Sequence, residues 1–542
     1  MFRVGFLIDG HIVSPYTAAL IDWVNTEAGM EAVLFRVDLD QPHGRGLGRT
    51  LRSEGWRGLA ARLAFAISNR IDARLSLSTG VLFDEVDLSS LNLRTVTVRP
   101  RVSASGLIHW YADDVLAPLA QDRPDVMVRT GSGIQRGALL EWPRLGVLSH
   151  HHADNRINRG GPPAFWEVFE RQPVTGYVIQ RLSDELDGGD VLVRGEVPTR
   201  PRYFDNLASV YAGSINPFTE LLARLSRGEV VTAERVTIHD GPVLRRPGFR
   251  QSLAMIRRSA AFVARRLIEK ATGQQQHWRI ALYKGDWQRA TLRKASVIPA
   301  RAGTFLADPF VTVEQGVPYI FAEEYEYRRG TGDIAAFRWI DEEKRFERLG
   351  IALSDGSHFS FPFLIRADGD LFMVPENTDS ERLRLFRCVN FPLGWSEEAV
   401  LLDGIRAVDP VIFHQGSQWW MLVSERIAGS SANRLWLYGA NNIRGPWSKC
   451  GEQPATNDAQ RSRNGGLLRD GDELYRVAQS FDYGGYGSAA NIYRIIEVSE
   501  RGYREEFVQE VRPRFGRARG GHHLHNDGDW LVFDLWERRK PD

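Results

Sequence analysis

Cysteine is scarce in this chain: 542 residues carry two, Cys388 and Cys450. That excludes a disulfide scaffold and suits a reducing compartment. Neither charge sign dominates, since 69 basic residues face 68 acidic ones and the net charge is +1. A bulk nucleic-acid binder, which needs clustered cations, is not expected. No apolar run approaches the roughly 18 residues a spanning helix requires. The start MFRVGFLIDGHIVS reads as a first buried strand rather than a secretory leader. No Gly-x-Gly-x-x-Gly fingerprint occurs, so neither nicotinamide nor flavin is implied. The expectation is a soluble, cytoplasmic protein of two or three domains.

What is present changes character along the chain. The first part alternates strand-like and helix-like segments: MFRVGFLID, PYTAALIDWVNTEA, MEAVLFRVDL, then PDVMVRTG at 124–131 and RLGVLSHH at 144–151. This predicts an α/β domain over 1–228, mostly parallel sheet, closed by a helix at 204–228. Residues 45–75 and 249–272 mix arginine with apolar residues at helical spacing. In the second, Leu253, Ile256, Ala260, Val263 and Leu267 share a face while Arg257, Arg258, Arg265 and Arg266 fall elsewhere. Two readings fit: a helix lying on an anionic membrane surface, or an interdomain helix that packs its apolar stripe and solvates its arginines. Residues 229–275 are the expected basic, helical linker.

The chemistry concentrates where an apolar strand runs into GVLSHHHADNRINRGGPPAFWEV, residues 146–168. His151 stands at that strand end, and Asp187, in LSDELDGGDVLV, follows 36 positions later. An imidazole and a carboxylate meeting at one crevice can shuttle a proton, with the acid fixing the tautomer. Asp187 also stands just before Gly188, a strong turn signal. By alternation His150 and His152 face away from His151. Zinc on His150, His152 and Asp154 has suitable ligand types but no usual zinc spacing, so no metal is expected.

These motifs resemble the formyltransferase family, in its methionyl-tRNA and sugar N-formyltransferase branches. The likeness rests on His151 at the strand end, the Arg159–Gly160 turn eight residues later, LDGGD at 186–190, and RTGSGIQRGALLEWPRLGVLS at 129–149. It implies a Rossmann-like fold, 10-formyltetrahydrofolate as the one-carbon donor, and His151 and Asp187 as proton-handling residues. Thr130, Gly131, Ser132, Gly133, Ile134 and Asp184 would border the folate, and His150, His152, Asp154, Asn155 and Arg156 the acceptor. Ser149 occupies the position of the family's catalytic Asn. A hydroxyl is a shorter single donor, and losing an oxyanion donor costs about 10²–10³ in rate. Slower formyl transfer, transfer of another group, and a retired site all remain open.

From about 276 the sequence becomes short aromatic-rich strands separated by Asp-Gly and Gly-Ser turns. Units begin near 305, 358, 407, 463 and 520, a spacing of about fifty residues that suits four-stranded propeller blades. This predicts an all-β, five-bladed β-propeller over 276–542. ADPF, FSFPF, VPEN and AVDP, starting at 307, 359, 374 and 407, resemble the amino-terminal propeller domain of glucosamine inositolphosphorylceramide transferases. More distantly the pattern is similar to five-bladed glycoside hydrolases. Asp308, Glu376 and Asp409 are then candidates for glycan contacts at the axis, with Glu323, Glu324, Glu425, His522 and His523 nearby. Asp-Pro can equally cap turns.

The combined expectation is a transferase carrying a formyl group from 10-formyltetrahydrofolate to an amine of an amino sugar or glycan precursor, with peripheral membrane contact open. Two alternatives stand beside it: an inactive transferase fold that works with the propeller as a carbohydrate-binding scaffold, and a propeller glycosidase.

Overall fold

The computed structural model describes residues 1–39, 47–76, 84–104, 106–185, 188–234, 242–426, 433–451 and 454–540; side chains are described except at 47–54, 378 and 433. The chain forms two compact units, one from residues up to Val263 and one from Ala264 onward.

The first unit is built on a seven-stranded mixed sheet. Its strand order is Asp190–Pro198, Val174–Arg181, Val147–His151, Val126–Arg129, Phe2–Ile8, Met30–Val37 and Arg94–Val98. The last five run parallel, and the first two pair antiparallel. Both sheet faces are covered, which is why the central strands read as continuous apolar runs rather than alternating ones. Phe6, Leu34, Val126, Val128 and Leu148 pack with Leu20, Ile21 and Val24 of helix Pro15–Thr26 and with Phe218, Leu221 and Leu222 of helix Tyr203–Ser226. Leu7, Val33, Phe35, Met127 and Val147 turn to the opposite face with Tyr111, Leu139 and Leu140. Ser14 caps the first helix, its hydroxyl accepting from the Thr17 amide, with Pro15 in the first turn where no amide donor is needed.

Helix Phe249–Thr272 departs from one expectation for it. It buries Ser252, Met255 and Ser259, while Leu253 and Leu267 are exposed, so its apolar stripe is not packed inward.

The second unit contains five four-stranded antiparallel sheets. Four are consecutive in sequence and begin with Thr304–Glu314, Ser360–Ala367, Ala407–Gln415 and Asn464–Asp470. The fifth joins the two ends of the unit: Gln275–Lys284 pairs with Trp530–Arg539, flanked by Ser296–Val297 and Leu524–Asp527. Each first strand touches the next, and Leu524–Asp527 touches both Asn464–Asp470 and Thr304–Glu314. The arrangement is propeller-like.

Four of these inner strands carry the same irregularity. Register slips between Ala307 and Phe310, Ser360 and Phe363, Val408 and Val411, and Asn464 and Leu467. Asp308, Phe361 and Asp409 take positive φ there, at 49°, 46° and 50°; in the fourth strand the equivalent residue is Gly465, and positive φ falls one residue later, at Gly466. Bulges re-aim side chains, and left-handed backbone at a non-glycine residue costs of order 1–3 kcal/mol.

One deep ion pair ties the fourth sheet together. Arg476, with a fully buried side chain, donates to both Glu505 oxygens at 2.8 and 2.6 Å and to Asn464 Oδ1 at 3.0 Å; the Tyr503 hydroxyl donates to Glu505 at 2.6 Å. Removing one member strands a buried charge. Glu505→Ala is expected to lower stability by about 3–5 kcal/mol, whereas Arg476→Met with Glu505→Leu recovers most of it; denaturant titration of the three proteins measures both.

Candidate functional site

In an open α/β sheet, side chains meet ligands beyond the carboxyl ends of the parallel strands, because the strand bodies are buried on both faces. Three such ends lie side by side here: Ile8, Arg129 and His151. Asp9 follows the first and accepts the Ser132 amide at 2.8 Å. The Thr130 hydroxyl donates to the Leu7 carbonyl at 3.1 Å, and the Gly131 amide to the same oxygen at 2.9 Å. The loop lies so close to the neighbouring strand that a Cβ on Gly131 would sit 2.6 Å from Asp9 Oδ1. Gly133, at φ 80°, passes over the His109 ring with room for no side chain.

Arg129 organises this corner. It donates to the Gly133 carbonyl at 2.8 Å and to Ser149 Oγ at 3.3 Å, while its Nε has no hydrogen-bond partner among the described residues. Burial lowers its pKa, opposed by Asp9. Ser149 is buried and His151 half-buried. By strand alternation both point to the face opposite His150.

His150 and His152 occupy the helix side. His150 stacks on Tyr16 at 5.3 Å and meets Tyr211 at 5.9 Å; His152 meets Tyr211 at 4.5 Å. Burial first, then neighbouring imidazoles, pushes His150 well below its ordinary pKa. Burial, His151 and Arg129 bring His152 down to about 3. Both rings are therefore neutral at physiological pH. Asp154 is buried and held by Arg156 at 2.7 Å and Arg194 at 2.6 Å; Arg194 also reaches Asn155 Oδ1 at 3.4 Å. Asp184 is exposed. Asp187 lies outside the described residues. The Arg159–Gly160 turn is a short strand paired with Val243–Leu244, and Gly160, at φ 93°, passes so near Leu244 that a Cβ would fall 2.2 Å from its carbonyl oxygen.

The second unit gathers Asp308, Glu323, Glu376, Asp409, His522, His523 and Asp534, all buried. Asp409 accepts from Arg463 Nε at 2.7 Å and Gln479 Nε2 at 3.2 Å, and its own amide donates to Glu376 Oε2 at 3.2 Å. Asp534 accepts the His522 and His523 amides at 2.8 and 3.1 Å and contacts His522 Nδ1 at 2.5 Å; His522 Nε2 lies 3.6 Å from Asp308. Ligand-type atoms of Asp308, His522 and Asp534 fall within 4.8 Å of one another, a donor set that could hold a cation although the sequence shows no metal spacing. At the edge of the cluster Tyr486 is exposed, its ring under the Arg463 guanidinium at 5.6 Å and edge-on to His522 at 5.2 Å.

Protonation in this cluster is divided. Burial, with Asp534 and Asp409 adding and His522 opposing, pushes the Asp308 carboxyl up to about 7. Burial and then Asp308 drive Glu323 well above the ordinary range, and burial and then Asp409 do the same to Glu376. Burial opposes charge on His522, but Asp534 and Asp308 outweigh it and raise its pKa. The cluster thus holds protonated carboxyls beside Asp409, which has a guanidinium partner. Glu324 and Glu425 do not join it. Glu324 is clamped by Arg301 and Arg348, and Glu425 bonds Arg434 and Trp436; adjacent residues of a strand face opposite ways, so Glu323 and Glu324 cannot both point inward.

Sequence reasoning placed Arg129 in the segment bordering the folate without giving it a role of its own, and it missed Asp9, Arg463 and Asp534. Asp534 carried a signal, a lone acid inside the apolar strand WLVFDLW.

Residues 290–526 match the family described as glucosamine inositolphosphorylceramide transferase 1, N-terminal. The chain is 37% identical over 208 residues to glucosamine inositolphosphorylceramide transferase 1 of Arabidopsis thaliana, covering 37% of this chain and 27% of that protein. With the protein of the same name from Oryza sativa subsp. japonica it shares 31% over 242 residues, 43% of this chain and 32% of that one. In the amino-terminal region it is 34% identical over 91 residues to methionyl-tRNA formyltransferase of Deinococcus radiodurans, 17% of this chain and 29% of that protein. The chain spans about a third or less of the length of these relatives. An exo-β-1,3-galactanase of Phanerochaete chrysosporium superposes with a TM-score of 0.32 at 14% identity, over 38% of this chain and 49% of that one. The catalytic domain of a Coprinopsis cinerea α-L-arabinofuranosidase does so with 0.34 at 12% identity, over 48% and 97%. The sequence relatives of both regions are named transferases.

Proposed function

We propose that the first unit is a Rossmann-like N-formyltransferase acting in the cytoplasm on the amine of an amino sugar or glycan precursor, and that the second is a five-bladed propeller that binds the glycan. The observation carrying this reading is the convergence of Asp9, Arg129, the 130–134 loop, Ser149 and His151 at neighbouring strand ends. The donor, 10-formyltetrahydrofolate, supplies the one-carbon unit. Residues suited to hold it are present: a loop with no room for side chains at Gly131 and Gly133, and a buried guanidinium with an unused donor at Nε.

Each residue then has a task. His151 accepts the proton released as the amine attacks, and Asp187 holds the imidazole in the tautomer whose free nitrogen faces the amine. The Ser149 hydroxyl donates to the carbonyl oxygen as negative charge grows there. Arg129, donating to Ser149 Oγ, biases that hydroxyl to point its own proton away from the guanidinium and toward the oxygen. A preorganised donor of this kind is the largest single catalytic term in acyl transfer. The proposal assigns residues 1–228 to the formyltransferase-like domain, 229–275 to a helical linker and 276–542 to the propeller.

In the propeller, Glu376, which burial keeps protonated, donates to sugar hydroxyls, Asp308 and Asp409 accept from them, and exposed Tyr486 offers a ring face. A second reading is favoured by the same division of protons: glycoside cleavage requires one protonated and one ionised carboxyl. Release of reducing sugar from β-galactan or arabinan by the purified chain, abolished in Glu376→Gln, would establish it in place of simple binding.

Two outcomes test the proposal. Purified protein with 10-formyltetrahydrofolate and a panel of nucleotide-linked amino sugars is expected to yield tetrahydrofolate, followed by absorbance, with kcat falling by about 10²–10⁴ in His151→Ala. No folate binding by calorimetry refutes the assignment. In the propeller, Asp308 has a folded pKa raised above its unfolded value, so the stability it contributes is fully present below the ordinary carboxylate range and lost as pH rises through about 7. Asp308→Asn keeps a residue tolerant of positive φ and is expected to flatten that loss in denaturant midpoints measured across the window.

A further inference from the structure

Two helices of the first unit wear their amphipathicity inside out. Helix Leu47–Leu75 is interrupted at Gly55 (φ 66°). Beyond that point it buries Ala64, Ser68 and Asp72, and exposes Trp56 at 76%, Leu63 at 46% and Ile67 at 53%. At 100° per residue these three lie within about 40° of one another, a single stripe. Helix Phe249–Thr272 repeats the pattern. It runs on past Val263, where the first unit ends; within that unit it buries Ser252, Met255 and Ser259 and exposes Phe249, Leu253 and Ala260 about 100° around the helix from them.

Neither helix is loosely attached. Asp72 accepts the Phe204 amide at 2.8 Å, and Phe65 packs edge-on to Phe165 at 5.6 Å. Arg258 donates to the Phe169 carbonyl and covers its ring, and Arg202 lies over Phe262 at 5.6 Å. Phe165 and Phe169 stack at 6.1 Å, so both helices are anchored to one short segment of the same unit. Each turns its apolar stripe outward. Surface helices normally do the reverse.

Charge says what covers them. Residues 55–75 carry four arginines against one aspartate, and residues 249–263 three arginines and no acid. Arg70 and Arg74 continue the first stripe, and Arg257 borders the second. An apolar stripe bordered by cations matches the boundary between acyl chains and anionic headgroups, where each basic side chain near the surface adds about 1 kcal/mol. No helix among the described residues is long and apolar enough to cross a membrane. The geometry points to a peripheral docking face on the first unit, formed by residues 56–74 and 249–260, that seats this chain on an anionic lipid bilayer. This inference is independent of the formyl-transfer reading.

The experiment uses the full chain and two vesicle preparations, phosphatidylcholine alone and phosphatidylcholine with phosphatidylglycerol. Co-sedimentation is expected to be at least about tenfold stronger on the anionic vesicles and to weaken as salt rises. The combined variant Trp56→Ser, Leu63→Ser, Phe249→Ser, Leu253→Ser is expected to lose that binding by about tenfold or more while keeping its thermal midpoint, because the four positions are solvent-facing. Arg70→Gln with Arg257→Gln should remove the preference for anionic lipid. Equal binding to both preparations, no binding at low salt, or full binding by the serine variant overturns the proposal. So does sedimentation equilibrium showing a dimer that the same serines dissolve, since the stripe would then be closed by a second copy.

Discussion

A strand covered on both faces has few ways to present a polar side chain to a ligand, and the two units solve that constraint differently. In the first, Phe6 and Leu7 turn to opposite apolar clusters, and the first side chain free to be charged is Asp9. The same holds at Arg129 and, one strand further, at Ser149 and His151. Chemistry gathers at one rim because the sheet leaves nowhere else for it. In the second unit Asp308 and Asp409 enter through bulges of the inner strands rather than at an end.

That bulge recurs with one variation that matters. At three equivalent positions the inner strand is forced into left-handed backbone, and the occupants are Asp308, Phe361 and Asp409. Glycine would serve at every one of them at no steric cost. Aspartate at two instead spends stability on bringing carboxylates into a cluster that already contains Glu323, Glu376 and Asp534. Strain of this kind persists where function demands it. The cluster is tolerated because its charges are limited: Asp409 has Arg463, Asp534 has His522 and two amides, and Glu323 and Glu376 hold protons.

Much of this was legible in the sequence. Apolar runs of the right length marked the strands ending at Arg129 and His151, and the helix expected over 204–228 is found at Tyr203–Ser226. Repeats of about fifty residues marked the five sheets. Less legible was anything set by side-chain direction across long separations. Asp308 and Asp534 are 226 positions apart and meet only because the fifth sheet joins both ends of its unit. Glu323 and Glu324 are indistinguishable in sequence, yet one enters the cluster and the other is taken by two arginines. The helix at 249–272 had a readable apolar stripe, but periodicity does not say which way a stripe faces. Its buried face is made of Ser252, Met255 and Ser259, residues that no hydrophobicity pattern would select.

The serine at position 149 gains its meaning from Arg129. Considered alone, a hydroxyl replacing an amide loses reach and one donor, and the site looks weakened. Buried beside it, however, is a guanidinium whose Nη1 reaches Ser149 Oγ and whose Nε has no described partner. A fixed cation in a water-poor corner acts on developing negative charge at far greater strength than in bulk water. In the proposed formyl transfer, the electrostatic work of an oxyanion donor is divided between a short hydroxyl and the charge that orients it. Such a pair suits a transferred acyl group small enough for its carbonyl oxygen to sit within reach of serine, deep in the corner, rather than out where a longer amide would extend.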